Sequence, residues 1–436
     1  MNSFESAMLQ PFEKQRDLME DRIRWGIEAH RKGYADIRVQ NADGVPIPGA
    51  HVDICQKSNA FKLGANLFML DEFKDPAHSA AYRAIFPKLF NYATLPFYWG
   101  DLEPEQGNPR FAADSPKVYR RPAPDLCLAY CRENGVTPKG HCLVYEPFRP
   151  AWLPREDVPA IKRLYEERIA ALGARYAAAI PDWEVTNETL YNTHSFGYTA
   201  FFFAEDHVPW SFACARRHFP QNALLINEGQ DRVWKDFHGN RSQYYLQIEG
   251  LLLKGVPVDG IGMQFHVWAQ REEAPQAAAL YYDPQRLYDV MDCYGRLGLP
   301  LQITEVTVPC YEAGEAMEDL QAEILRNLYR IWFSHGAMEA VVYWNTVDGG
   351  AFGNENHYRA GLIRQDLMPK PSFRVLQALF DREWRTQTQT RTDDGGRARF
   401  KGFYGDYTLE VTVHGQTKAF SAQLRRDGLR SLTLTL

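Results

Sequence analysis

No stretch of this chain approaches the roughly 18 consecutive apolar residues that cross a bilayer, so a spanning helix and a membrane partner are not expected. No basic block stands out either. The formal charge is −6 and the pI about 6.1, which argues against a nucleic-acid footprint. The phosphate-cradling patterns GxGxxG and GxxxxGK[ST] are absent, which removes support for nucleotide binding. HExxH and Asp/His clusters are missing too, so metal-dependent hydrolysis is a weak reading. Cysteine is scarce: the seven present form an odd set with no spacing that frames disulfides. Cys127 and Cys131 lie four apart on a predicted helix with no further ligand nearby, and read as buried, reduced thiols. The opening stretch, "MNSFESAMLQPFEKQRDLMEDRIRWG", has no apolar h-region and no small-residue cleavage site. The cytoplasm is the expected compartment, with secretion the alternative if a leader has been removed.

Aromatic residues are plentiful, with 10 Trp and 23 Tyr. Flat rings stack on the apolar faces of sugars, and they equally fill large cores. The 436 residues suit one large domain with a smaller partner.

From about residue 60 to 380, short apolar runs alternate with segments of helical period. The runs are 62–68, 89–96, 137–145, 182–188, 223–228, 259–266, 299–306 and 340–345. Strands alternating with helices predict βαβ units and a parallel sheet. Eight strands in a segment of this length predict a closed (β/α)₈ barrel of the α/β class. The polar residues gather at the C-terminal ends of the runs: His141, Glu188, Asn227 and Glu228, Gln264 and His266, Glu305, Trp344. In a barrel those ends open onto one face, where barrel enzymes keep their chemistry.

Two of these residues make a pair. Glu188 closes the fourth run in "PDWEVTNETL", and Glu305 closes the seventh in "LPLQITEVTVP". Two carboxylates across one barrel mouth suit glycoside hydrolysis. One protonates the leaving oxygen while the other attacks the anomeric carbon or activates water. The two jobs need different pKa values, which burial and mutual repulsion can supply.

The barrel region resembles glycoside hydrolase family 10, the xylanase family, over most of residues 20–380. "WEVTNE" is similar to that family's acid/base motif W-D-V-V-N-E, and "QITEVTV" to its nucleophile motif I-T-E-L-D-I. "KGHCLVY" is similar to R-G-H-T-L-V-W, and "GIGMQFH" to G-I-G-L-Q-x-H. "FNYAT…WGDLEPEQG" and "MPKPSF" also match, so six motifs fall in order along one barrel. The resemblance implies that Glu188 is the general acid/base and Glu305 the nucleophile of a retaining double displacement. It further implies that Asn187 bonds the sugar 2-OH, that His266 tunes the nucleophile, that Gln264 and His141 line the subsite of the attacked sugar, and that Trp344 is a stacking floor. No metal or organic cofactor is implied. The implied substrate is a polysaccharide or oligosaccharide with β-linked xylose.

The departures fall on one side. The family reads T-x-E-N-x-M-K-W after its second strand, whereas this chain reads Thr94-Leu95-Pro96-Phe97-Tyr98-Trp99 and lacks the Glu, Asn and Lys that grip the non-reducing-side sugars. Tyr145-Glu146 stand where the family has Trp-His. "DGGAFGNENHYRAGL" replaces a second Trp beyond the eighth strand. The expectation is a kept catalytic centre with rebuilt walls, for which Tyr145, Glu146, Arg149, Tyr98 and His357 are candidate sugar contacts. Another β-glycan, a short oligosaccharide or an aryl β-glycoside is the competing substrate. A non-catalytic carbohydrate-binding barrel is the competing function, and it predicts loss of one glutamate.

The ends of the chain read differently. "ADIRVQNADGVPIPGAHVDICQ" (35–56) and the alternating strands after 385 resemble two halves of a carboxypeptidase-regulatory-like β-sandwich, split by the barrel. The expected division is 1–60 (a helix and the first half-sandwich), 61–384 (the barrel) and 385–436 (the second half). Oligomeric state is not addressed by any of these motifs.

Overall fold

The computed structural model describes residues 3–191, 197–428 and 431–436. Two helices open the chain, α1 (Ser3–Lys14) and α2 (Arg16–His30), followed by strands β1 (Lys32–Gln40) and β2 (His51–Asn59). Eight parallel strands come next: β3 (Lys62–Asn66), β4 (Tyr92–Pro96), β5 (Thr137–Val144), β6 (Asp182–Asn187), β7 (Ala223–Glu228), β8 (Gly260–His266), β9 (Leu301–Thr307) and β10 (Met338–Tyr343). They close as β10-β3-β4-β5-β6-β7-β8-β9. The barrel expected from the apolar runs is therefore present, strand for strand. Helices such as Val158–Tyr176 and Glu315–Ser334 cover its outside, so β4, β6 and β9 are buried on both faces and their sequences run apolar without alternation. Close packing sets some residue choices. A Cβ on Gly140 would meet the Trp183 ring at 2.2 Å.

The remaining strands are β11 (Gln387–Arg391), β12 (Arg397–Phe403), β13 (Gly405–Val413), β14 (Gln416–Leu424) and β15 (Ser431–Thr435). They form two sheets, ordered β12-β1-β15 and β11-β2-β13-β14. Each sheet joins a strand from the start of the chain to strands from its end: β1 runs antiparallel to β12, with Ile37 opposite Ala398, and β2 runs antiparallel to both β11 and β13. Here the burial alternates along the strand, because only one face is covered. Ile37, Val39, Val52, Ile54, Phe400, Leu409 and Val411 share one apolar cluster, separate from the barrel's.

α1 and α2 belong to the barrel's packing, with Met8, Phe12, Met19 and Ile23 in its core. The Arg31 guanidinium, just after α2, donates to the carbonyls of Phe333, His335 and Met338 where the chain enters β10. Trp384 stacks on Phe333 at 3.9 Å. These contacts put the two terminal sheets at the N-terminal end of the barrel, away from the rim where the strands finish. All seven cysteines are free thiols, and six of them are buried. Among the described residues no helix is long and apolar enough to cross a membrane.

Candidate active site

The barrel strands finish at one rim and bring the polar residues there into register. Asn187 at the end of β6 lies beside Asn227 of β7, and Gln264 of β8 beside Glu305 of β9. Glu188 follows β6 directly and takes up the left-handed backbone (φ 54°), which a non-glycine residue adopts at a cost. Its N–H still donates to the Asn227 carbonyl at 3.1 Å, and the next turn is held by Glu228, whose carboxylate accepts from Leu190 N at 3.1 Å and Gly229 N at 3.0 Å.

A hydrogen-bonded line connects the two glutamates. Gln264 Nε2 donates to Glu188 Oε1 at 2.9 Å and to Asn187 Oδ1 at 3.2 Å. Asn227 Nδ2 donates to the same Asn187 oxygen at 2.8 Å and to Glu305 Oε1 at 3.1 Å. Thr304 Oγ1 donates to Asn227 Oδ1 at 2.6 Å and fixes that amide's orientation. Gly262 leaves room for it, since an added Cβ would meet Asn227 Oδ1 at 2.4 Å. The Asn187 oxygen thus accepts from two donors, and Asn187 also lines the cleft.

Glu305 is 4% exposed, and its second oxygen faces His266 Nε2 at 3.2 Å. Burial pushes the His266 imidazole down to about 4, so it is neutral at neutral pH. The Thr307 hydroxyl lies 2.8 Å from its Nδ1. With the Thr307 hydroxyl donating to Nδ1, the single ring proton sits on Nε2 and points at Glu305. Burial pushes the Glu305 carboxyl up to about 8; His141 works against this, and the carboxylates of Glu184 and Glu188 add to it. Glu228 is also driven up to about 8 by burial.

Beneath the pair lies a fully buried ionic cluster. Lys139 and His141 of β5 both contact Glu184 of β6, and His141 Nε2 meets the Tyr98 hydroxyl at 3.0 Å. Burial alone would push Glu184 up, but the Lys139 ammonium and His141 reverse this and hold it at about 2. His141, Glu184 and Glu305 present ligand atoms within 4.8 Å of one another, a spacing open to a metal, yet Lys139 already supplies the positive charge there. Replacing Glu184 by Gln strands that ammonium in the core and is expected to cost about 3–5 kcal/mol of stability at pH 7. The carboxyl sits below its unfolded value of about 4.3. Its contribution is therefore complete above that value and lost as pH falls toward 2. Denaturant unfolding of both proteins from pH 7 to 3 should show the gap narrowing.

A cleft of about 440 Å³ opens above these groups. It is lined by Asn187, Glu188, Glu305, His141, Gln264, His266, Trp344 and Tyr145, together with Tyr98. Tyr145 donates from its hydroxyl to Glu188 Oε2 at 2.8 Å. Trp344 packs edge-on to Phe68 and to the His141 ring. Glu146 does not line the cleft. The short 3₁₀ turn Glu146–Phe148 directs its carboxylate backward, where Thr199 N (3.0 Å), Thr199 Oγ1 (3.1 Å) and the Tyr165 hydroxyl (3.2 Å) donate to it. Arg149 and His357 are also outside the lining; Arg149 donates to the Gly197 carbonyl at 2.9 Å. The sequence reading left out Arg120, Arg121, Trp268, Phe352 and Glu355, which do line it. Glu355 sits in the 3₁₀ helix Gly353–Tyr358 and the others on loops, where no periodicity marks them. Lys139 and Glu184 did leave a signal, as charges inside otherwise apolar runs.

Comparisons with known proteins agree with this architecture. The chain is 25% identical over 408 residues to the anti-sigma-I factor RsgI6 of Acetivibrio thermocellus, a match covering 91% of this chain and 47% of that protein. It is 25% identical over 422 residues to endo-1,4-beta-xylanase 2 of Arabidopsis thaliana, covering 93% of this chain and 35% of that one. The chain thus spans about a third to a half of the length of these curated relatives. Xylanase 10B from Thermotoga petrophila RKU-1, solved in complex with xylobiose, shares the fold with a TM-score of 0.59 at 19% identity, over 74% of this chain and 95% of that one. The sequence model of glycosyl hydrolase family 10 matches residues 68–379, most of the chain, and this protein belongs to that family.

Proposed function

We propose that this protein is a retaining β-glycoside hydrolase that cleaves β-1,4-linked, xylose-containing glycans or their oligosaccharides, with Glu188 as acid/base and Glu305 as nucleophile. The observation that carries the reading is the line of amides joining Glu188 to Glu305 at the mouth of one cleft. In the first step Glu188 protonates the leaving oxygen while Glu305 attacks the anomeric carbon. In the second, Glu188 takes a proton from water, which displaces the sugar from Glu305. Asn187 presents its NH₂ to the sugar 2-OH, Trp344 and Tyr145 give the sugar a wall, and His266 donates to the nucleophile.

The charge state of Glu305 bears on this mechanism. Burial, the largest cause, raises Glu305 to about 8, so its carboxyl holds a proton at neutral pH. The reaction needs that proton on Glu188. Positive charge developing on the sugar, with the Asn227 and His266 donors, favours the ionised form of Glu305. Above about pH 8 the proton that Glu305 carries is lost, and kcat/KM is expected to fall about tenfold per pH unit. A profile flat to pH 10 would contradict a role for that proton in the reaction.

One observation favours short substrates. Phe148, after β5, and Phe352, after β10, approach edge-on at 6.4 Å across the cleft. Digestion of a panel of β-glycans and their oligomers, read by mass spectrometry, separates the readings. Products from β-1,4-xylan support the first and products from oligomers alone the second. Binding without cleavage of any member, activated aryl glycosides included, would leave a non-catalytic barrel.

For organisation, we propose a sandwich unit of residues 32–60 and 385–436, with the barrel of 61–384 inserted between its halves and α1 and α2 docked on the barrel wall. The separate apolar clusters support this division.

A further inference from the structure

One part of the cleft wall is not used by the hydrolytic chemistry. The loop before the helix Pro124–Asn134 carries Arg120 and Arg121 into the wall beside Phe68 and Tyr98. Arg121 is well provided for. Its Nε donates to Asp101 Oδ2 at 2.8 Å and its Nη1 to the Arg120 carbonyl at 3.0 Å, and it lies 4.2 Å from the Tyr98 ring centre. Arg120 is not. It is 2% exposed, only its Nη2 is engaged, on Asn345 Oδ1 at 3.0 Å, and Nε and Nη1 have no hydrogen-bond partner among the described residues. Two carboxylates stand near it: Glu72 accepts from the Arg120 backbone N–H at 3.2 Å, and Glu355 accepts from Asn345 Nδ2 at 2.7 Å, and neither forms an ion pair with the Arg120 guanidinium.

A guanidinium stripped of water and left without an anion is an unfavourable arrangement unless something supplies the missing charge. A sugar hydroxyl would satisfy an N–H but leave the charge uncompensated. A carboxylate does both, because its oxygens match the planar donors of a guanidinium. The second cation next door, Arg121, adds to the demand.

We propose that this end of the cleft binds a sugar bearing a carboxylate, so that the preferred substrate is a uronate-containing β-glycan with Arg120 as its specificity-determining contact. The proposal rests on the hydrolase reading above. Its test compares kcat/KM of the full-length protein on glucuronic-acid-branched xylo-oligosaccharides with the same oligosaccharides after carboxyl reduction to neutral glucosyl branches. The acidic member is expected to be favoured about tenfold or more, with the preference shrinking in 1 M salt as the charge contact is screened. Arg120→Gln should bring the ratio to about one, and Arg120→Lys should retain part of it. A wild-type ratio at or below one, or a ratio unchanged in Arg120→Gln, overturns the proposal while leaving the hydrolase reading intact. If neither member of the pair is cleaved, both fall together. The wild-type ratio needs no variant, so it stands even if Arg120→Gln fails to fold.

Discussion

Replacing Glu305 by Ala is expected to reduce kcat by ~10⁴-fold or more, and added azide should restore turnover with the opposite anomeric configuration in the product. The loss is large because no other group can form the glycosyl ester. Asn227 and His266 hold the Glu305 oxygens at 3.1 and 3.2 Å, so the carboxylate waits in position rather than swinging in from solvent. Alanine leaves a small void beneath the anomeric carbon, and azide fits it. The anion then attacks from the side Glu305 occupied, and the glycosyl azide forms with inversion because only one displacement has taken place. The readout is the anomeric configuration of the azide product by NMR. A variant that keeps wild-type rates removes Glu305 from the reaction.

The Glu188→Ala variant should separate substrates by their leaving groups. A glycan or oligosaccharide leaves as a poor alkoxide without its proton, and should slow by about 10²–10⁴-fold, the usual contribution of a general acid. An activated aryl glycoside needs no such help in the first step. Its glycosyl-enzyme should accumulate, because water now lacks a base, and a burst of phenol followed by a slow steady state is the expected trace. Azide needs no base, and here it should accelerate release and give product with retained configuration. The two variants thus give opposite stereochemistry with the same nucleophile, a result that two merely structural carboxylates would not produce. The hydroxyl of Tyr145 and the amide of Gln264, at 2.8 and 2.9 Å from the two Glu188 oxygens, lose their partner in this variant. Glu188→Gln provides a version that preserves the packing.

How much of this could be read from the chain depends on how each residue is held. The eight barrel strands were legible because a strand covered on both faces must be apolar at nearly every position, and most of the runs stopped at or beside a polar residue of the rim. Ala223–Glu228 shows both features in six residues. The strands of the two terminal sheets were legible for the opposite reason, since one covered face makes apolar residues alternate, as in Lys32–Gln40. Glu188 and Glu305 stood out because a carboxylate at a strand end has no local packing reason to be there. Glu146 misled for want of such a frame. It follows Tyr145, which does face the cleft, but the 3₁₀ turn that begins at Glu146 directs its side chain the other way, and Thr199 and Tyr165 take it up from behind. Arg120 and Arg121 were missed because their place in the wall comes from a loop path, and nothing in "SPKVYRRPAP" predicts that path. The pairing of Lys139 with Glu184 was within reach: β5 and β6 are neighbours, and His141 lies opposite Glu184 in their ladder.

The account's central claim is that Glu188 and Glu305 act on one anomeric carbon from opposite sides in two successive displacements. The most direct measurement is proton NMR of the first hemiacetal released from an aryl β-xylobioside. The β-anomer should appear first, with the α-anomer following only as mutarotation proceeds. An α-anomer formed first would mean a single displacement by water, which needs carboxyls about 6.5–9.5 Å apart rather than about 5–5.5 Å, and would contradict the assignment of Glu305 as nucleophile.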